Sequence, residues 1–392
     1  MTTPYWRLAA DKIYPSKDRL VRTLKARSLR IYFGADPTAP FLHLGHTVPL
    51  KILRELQEQG HRVVVLFGDF TTLIGDPSGR DQSRPTLDEQ AIATNLLTYR
   101  EQVLKILDPK KTEFRSNSEW YLNPRSSGAL REFLRLGLNF TAAQLWERDL
   151  FQERQKKGQP VSLTEFIYPV LQAYDFIALE ADAQVGGTDQ TFNMLAGRDL
   201  AKKLGKGEKF VITTQLLRGT DGHKMGKSFN NFIALTDAPN EMYGKLMSVR
   251  DELLPEYFML AVGIDPNASK VRTLIDANPR EAKAKMAYEV VAFYHGADRA
   301  LMAQKAFDQQ FQAKELPGEI ENRTPSVTGN EKLAFYLVDL DLATSKTEAG
   351  RLIEQGGVKV DGAVIADLHA LITPHDGMLI QVGKRHFVRI KL

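Results

Sequence analysis

This sequence predicts an α/β fold built on a parallel sheet, followed by a helical region and a small α+β terminal module. Three observations carry that reading. Two strand patterns flank one amphipathic helix pattern between residues 29 and 70, the strand signal disappears from about Ala234 to Ala313, and a turn-rich segment with its own helix signals begins near Asn330.

The first strand is LRIYFGAD, where Leu29, Ile31 and Phe33 alternate before a break at Asp36-Pro37. A helix is expected from Gly45 to Gln59, because Val48, Ile52, Leu53 and Leu56 recur at helical spacing. Pro49 is expected in its first turn and Gly60 at its stop. HRVVVLFGDF reads as a buried second strand, so the three elements form a βαβ crossover with ligand sites at the strand ends. Thr86 with Glu89, and Ser162 with Glu165, have the spacing of capping boxes that open long helices. AQVGG and KFVITTQLL are further strands. The helical stretch that follows is expected to form a domain of its own over 233–315, and KELPGEIENRTPSVTGN a linker over 316–329. In the module at 330–392, Ser345 and Glu348 open a helix, Gly356-Gly357 end it, and Asp-Gly in VKVDGAVI marks a tight hairpin.

At 392 residues the chain is long enough for two or three domains. Lys and Arg number 52 against 48 Asp and Glu, so a net charge of +4 permits an anionic partner without requiring one. With no cysteine, a disulfide, a thiolate zinc site and a cysteine nucleophile are all excluded. The first residues are too charged for a signal peptide and no apolar run is long enough to span a membrane, so a cytoplasmic protein is expected.

The segment FLHLGHTVPL sets His43 and His46 around Gly45 at a strand-to-helix junction. A metal pair lacks the HExxH spacing and a third ligand. A purely structural cap satisfies the pair taken alone. The position favours a nucleotide, because free N–H groups and the helix dipole attract phosphate there, and glycine admits a flat base. A second segment, DGHKMGKSFNN, places Lys224 and Lys227 three apart among glycines. It is either a solvated basic loop or a loop that closes over polyphosphate and neutralises a pyrophosphate leaving group.

Together these segments resemble the paired signatures of class I aminoacyl-tRNA synthetases, HLGH standing for HIGH and KMGKS for KMSKS, with Gly226 where the motif has serine. YFGADPTAPFLHLGH, LIGDPSGR, YPVLQAYDF, QVGGTDQ and KMGKS follow the order of the bacterial-type tyrosyl branch over essentially the full length. The resemblance implies a Rossmann-like catalytic domain over 1–232, an anticodon-side helical domain and an S4-like RNA-binding module. It also implies a reaction in which L-tyrosine and ATP give tyrosyl-adenylate and the tyrosyl group passes to tRNA(Tyr). Tryptophan specificity, or a synthetase-like RNA-binding protein without catalysis, are the rival readings.

Tyr168, Gln172 and Asp175 fall within about 60° on one helix, and the apolar residues around them predict burial with ligand groups as partners. By resemblance, Tyr32 and Asp175 meet the substrate phenol, while Asp76, Tyr168 and Gln172 hold its ammonium. Asp36, Gly45, Gly187, Asp189, Gln190, Lys227 and Ser228 border the adenylate. Thr38, His43, His46, Lys224 and Lys227 serve the chemical step. Arg80 and Arg84 either approach pyrophosphate from a loop or are solvated surface charge, and stand outside the site. Mg²⁺ is expected to accompany ATP, with no structural metal held by the protein. The terminal module carries eight Lys/Arg and eight Asp/Glu, so its RNA surface must be a local patch, for which Lys346, Arg351, Lys359, Lys384 and Arg385 are candidates. A homodimer is expected by resemblance and from Leu134, Leu138, Phe140 and Leu145 in the segment 130–151.

Overall fold

The structure, a computed structural model, describes residues 3–76, 87–122, 129–226, 229–267, 270–311, 320–383 and 386–392. Contacts divide it into two units, residues 1–304 and 305–392.

The first unit holds a six-stranded sheet made of β1 (Ala10–Tyr14), β2 (Arg30–Ala35), β3 (Arg62–Phe67), β4 (Thr112–Ser116), β5 (Ala183–Gly187) and β6 (Phe210–Thr214). Their order is β1-β6-β5-β2-β3-β4. All neighbours are parallel except β1, which closes one edge antiparallel to β6. Val63, Val64 and Val65 are buried on both faces of β3, as a covered parallel strand requires. The chain runs outward from β2 to β4 on one side and from β5 to β6 on the other. The switch point therefore lies between β2 and β5, where a crevice opens at the carboxyl ends of the strands.

The crossover helix spans Leu44–Glu58. Pro49 is its sixth residue, in the second turn rather than the first, and its missing N–H removes the donor that would have served the Gly45 carbonyl. The helix Glu89–Leu104 is capped by Asp88, whose side chain accepts from Ala91 N–H at 2.7 Å. Asp88 takes the role expected of Thr86, which lies outside the described residues. The Ser162 and Glu165 box forms as expected, each side chain accepting the other's backbone N–H at 3.1 Å, and opens the helix Leu163–Ala178.

The later helices, including Pro239–Met247 and Pro279–His295, belong to the same unit as the sheet up to residue 304. Leu253, Leu254, Tyr257 and Phe258 are fully buried, and the Tyr5 hydroxyl donates to the Leu260 carbonyl at 2.7 Å. Lys51, on the crossover helix, donates to the Ala261 carbonyl. An apolar helical face with those anchors joins the unit's core, which is why the region is not compact on its own.

In the second unit, β7 (Glu321–Arg323), β9 (Val358–Val360), β10 (Ala363–Ile365), β12 (Leu379–Val382) and β13 (His386–Ile390) form a sheet in the order β10-β9-β12-β13-β7. A short pair joins β8 (Glu331–Lys332) to β11 (Leu371–Ile372). The Asp361-Gly362 turn has φ of 46° and 83°, the left-handed pair a two-residue hairpin needs. Ser345 caps the helix Lys346–Glu354. With the helix Leu333–Asp339 it covers a core of Tyr336, Leu337, Ile353, Val358, Ile380, Val388 and Ile390. The expected linker is corrected in its second half. Its residues 321–323 form β7, paired parallel to β13, and Arg323 donates to the Leu340 carbonyl.

Candidate functional site

Tyr32 in β2 and Gln184 in β5 are register partners across the switch point. Their side chains therefore share a face of the sheet. The Tyr32 hydroxyl and the Gln184 Oε1 are both buried and without a hydrogen-bond partner among the described residues. Two neighbouring buried polar atoms left unpaired mark a place shaped for a polar ligand group.

Asp175, on the helix Leu163–Ala178, stands over that place. Burial pushes its carboxyl up from 3.8 to about 7, although it accepts from Trp120 Nε1 at 2.9 Å and Asn117 Nδ2 at 3.3 Å. Burial and the nearby Asp175 charge raise the Tyr32 phenol well above its ordinary value, so Tyr32 is a neutral hydroxyl. Two turns before Asp175, the Tyr168 hydroxyl donates to Asp36 Oδ2 at 2.8 Å, and Thr71 holds the other Asp36 oxygen at 2.9 Å. Asn117 Nδ2 also donates to Thr71, so hydrogen bonds run from Asp36 to Asp175. Gly68 is required there, because a Cβ would lie 2.0 Å from Asp36 Oδ1. Gln172 is half-buried on the same helix. Thr38, in the loop after β2, donates its N–H to the Asp36 carbonyl at 2.8 Å.

Asp76 joins this group to the strand end of β5, since Gln190 Nε2 donates to Asp76 Oδ2 at 2.7 Å. Gly187 ends β5 at a point where a Cβ would meet Asp189 Oδ1 at 2.5 Å and Leu216 at 2.7 Å. The Lys224 ammonium then pairs with Asp189 at 2.7 Å. The distant motif is thereby carried to β5.

The two histidine rings lie with centroids 3.8 Å apart, tilted by 39°, and His43 N–H donates to His46 Nδ1 at 3.2 Å. Burial, His46 and Lys224 lower His43 well below the ordinary histidine value, so it is neutral at pH 7. Among the described residues no group of three His, Asp or Glu could hold a metal ion. Main-chain bonds tie this motif to the end of the other. Leu44 N–H donates to the Ile233 carbonyl at 3.0 Å and Leu235 N–H to the Leu42 carbonyl at 2.8 Å. Gly45 is close-packed, with an added Cβ 3.0 Å from the His43 ring and 3.9 Å from Met225 Sδ. Asn231, 3% exposed, fastens the Gly-rich loop by accepting from Gly226 N–H and donating to Asp221 and to the Lys224 carbonyl. Gly226 has open space where a serine side chain would begin. Lys227 and Ser228, like Arg80 and Arg84, lie outside the described residues.

The crevice therefore unites a neutral hydroxyl, buried carboxylates, two histidines at a helix start and a lysine-bearing loop. A family model described as class I tRNA synthetases (W and Y) matches residues 24–312, and an S4 domain model matches 331–377. The chain is 42% identical to a tyrosine–tRNA ligase of Thermotoga maritima, over 96% of this chain and 94% of that one. The chain belongs to the tyrosine–tRNA ligase family. Another member, from Shewanella oneidensis, is 43% identical over 98% of this chain and 97% of its own. Among solved structures, a C-terminally truncated Aspergillus nidulans mitochondrial tyrosyl-tRNA synthetase superposes with a TM-score of 0.66 at 25% identity, covering 78% of this chain and 92% of that one. A tyrosyl-tRNA synthetase of Archaeoglobus fulgidus shares the fold, with a TM-score of 0.60 at 20% identity over 76% of this chain and 98% of that one.

Within this ligase, sequence reasoning missed Thr71, Asn117, Trp120, Gln184 and Gly68. Trp120 and Asn117 come from a short turn before and within Ser118–Tyr121, where no periodicity announces them. In the S4 unit Lys346 and Arg351 are exposed and Lys359 is half-buried, while Lys384 and Arg385 lie outside the described residues.

Proposed function

We propose that the chain activates L-tyrosine with ATP to tyrosyl-adenylate and pyrophosphate, then transfers the tyrosyl group to the terminal adenosine of tRNA(Tyr). The observation that carries this reading is the pair of unpartnered buried atoms, Tyr32 Oη and Gln184 Oε1, beside the Asp175 carboxyl. A substrate phenol supplies the missing hydrogen bonds, and phenylalanine leaves them unmade. Asp76, Tyr168 and Gln172 take the ammonium group, and Asp36 and Thr38 shape the floor beneath the reacting carboxylate.

In the first step the tyrosine carboxylate oxygen attacks the ATP α-phosphorus and the bond to the pyrophosphate oxygen breaks. No protein nucleophile takes part. His43 and His46 donate to the developing phosphoryl charge, Lys224 and Lys227 neutralise the departing pyrophosphate and Ser228 donates a hydrogen bond to the nucleotide, so the barrier falls through positioning and electrostatics. Gly45, Gly187, Asp189 and Gln190 seat the adenosine. ATP enters as its Mg²⁺ complex, the metal held by phosphate oxygens. Lys346, Arg351, Lys359, Lys384 and Arg385 are assigned to tRNA phosphates. No described helix is long and apolar enough to cross a membrane. Family resemblance supports a cytoplasmic reaction carried out by a homodimer.

ATP–pyrophosphate exchange with a panel of amino acids tests the assignment. Exchange is expected with tyrosine and to be negligible with phenylalanine and tryptophan, a selectivity for which tyrosyl enzymes are already a known example. Exchange with tryptophan would return the chain to the other branch of its class, and no exchange with any amino acid would favour an RNA-binding role alone.

A further inference from the structure

The segment 141–158 has no part in the reaction as described, yet it drives a charge to the edge of the pocket. Arg148 precedes the helix Asp149–Lys156 and is 6% exposed. Its guanidinium lies between two rings, 5.4 Å from the centroid of Phe151 and 5.6 Å from that of Phe192. From there Nη2 stands 3.8 Å from Asp76 Oδ1, while Gln190 Nε2 holds Asp76 Oδ2 at 2.7 Å. Asp76 is thus addressed from both sides.

The origin of that side chain is also fixed. Six residues on, Arg154 is 2% exposed and its Nη1 donates to both oxygens of Glu165 at 3.0 Å. Glu165 closes the capping box of the helix that carries Tyr168 and Asp175. The short helix behind Arg148 is therefore stapled, through a buried ion pair, to the start of the helix that lines the pocket. Around Tyr168 three carboxylates converge, those of Asp36, Asp76 and Asp175. Arg148 is a cation placed among them.

We propose that Arg148 is a positioning residue for the ammonium group of the amino-acid substrate, acting through Asp76. The inference rests on the assignment of Asp76 to that ammonium. A separation of 3.8 Å is too long for a hydrogen bond and short enough for a strong charge interaction in an enclosed site. Arg148 therefore orients the carboxylate through charge rather than a direct hydrogen bond, and its guanidinium is held over the Phe151 and Phe192 rings by cation–π attraction.

The test uses the full-length protein and three ligands: tyrosine, tyramine, which keeps the ammonium, and 3-(4-hydroxyphenyl)propionate, which lacks it. Arg148→Gln is expected to raise the tyramine Kd and the tyrosine KM about tenfold, with kcat and the ATP KM nearly unchanged. The propionate should bind as before, and Arg148→Lys should recover most of the loss. Asp76→Asn separates the two assignments. If it leaves tyramine binding unchanged, the Asp76 assignment fails. If it weakens tyramine while Arg148→Gln does not, the role of Arg148 alone is overturned. Equal weakening of all three ligands would reduce Arg148 to a wall of the pocket and also overturn the proposal. Should Arg148→Gln fail to fold, Arg148→Lys must still show a smaller loss confined to the ligands with an ammonium group.

Discussion

Asp175 is a carboxyl whose surroundings work against its charge. Its folded value of about 7 lies above the ordinary 3.8, so protonation favours the folded state. The sign follows from linkage. That contribution to stability is fully present below about pH 4 and is lost as the pH rises to about 7. The proposed recognition of the substrate phenol has the opposite preference, because an ionised Asp175 accepts the proton that phenylalanine lacks. For tyrosine, kcat/KM in pyrophosphate exchange is expected to fall on the acid side of a group near pH 7, and Asp175→Asn should show a low, flat profile in its place. A wild-type profile level from pH 6 to 8 would remove Asp175 from phenol recognition. The sequence displayed this residue through its helical stripe with Tyr168. It did not display Trp120 or Gln184, because a partner brought by a four-residue turn or by strand register has no periodic signature.

At the scale of elements, the two signature segments are joined by backbone rather than by side chains alone. Residues 42–44 bond to residues 233–235, and Lys224 reaches Asp189 at the end of β5. The crossover and its helix were legible because a period-two strand, a period-3.6 helix and a continuous apolar strand follow one another from Leu29 to Phe67. Pro49 falls in the second turn rather than the first because helix starts shift by a residue or two without changing the apolar pattern. His46→Ala and Lys227→Ala are each expected to slow adenylate formation by about a hundredfold while changing the tyrosine dissociation constant by less than about threefold, as interactions made mainly in the transition state do. Single-turnover kinetics with separately measured tyrosine binding checks this. Unchanged rates in both variants would leave the paired histidines a structural role.

For the molecule as a whole, activation and RNA capture are assigned to separate units. A chain ended between Phe311 and Glu321 should retain tyrosine-dependent pyrophosphate exchange within about twofold and lose at least about tenfold in tRNA charging efficiency at moderate salt. Full charging by that chain would make the terminal unit a structural appendage. The boundary belongs before β7 because cutting at Asn330 would leave one strand of the terminal sheet behind. Composition concealed this, since EIENR sits in a Pro- and Gly-bearing stretch and pairs only with a strand more than sixty residues away. The homodimer is argued from Leu134 and Leu138, which are 60% and 86% exposed, while Leu145 is core and Phe140 packs against Leu136, Ala173 and Leu200. Light scattering at micromolar concentration should give twice the chain mass, and Leu138→Glu should shift it toward one. A stable monomer in the unaltered protein would contradict that interface.

The position of β13 between β12 and β7 also sets an order of events during synthesis. Glu321–Arg323 leaves the ribosome long before its only strand partner among the described residues exists. The sheet of the terminal unit therefore cannot close until His386–Ile390 has emerged, whereas every strand of the larger sheet has been made by Thr214. A nascent chain can shape its nucleotide crevice while its RNA-binding end is still open, and a message broken before the codons for His386–Ile390 would yield a protein with an exposed strand edge for proteases and chaperones to detect.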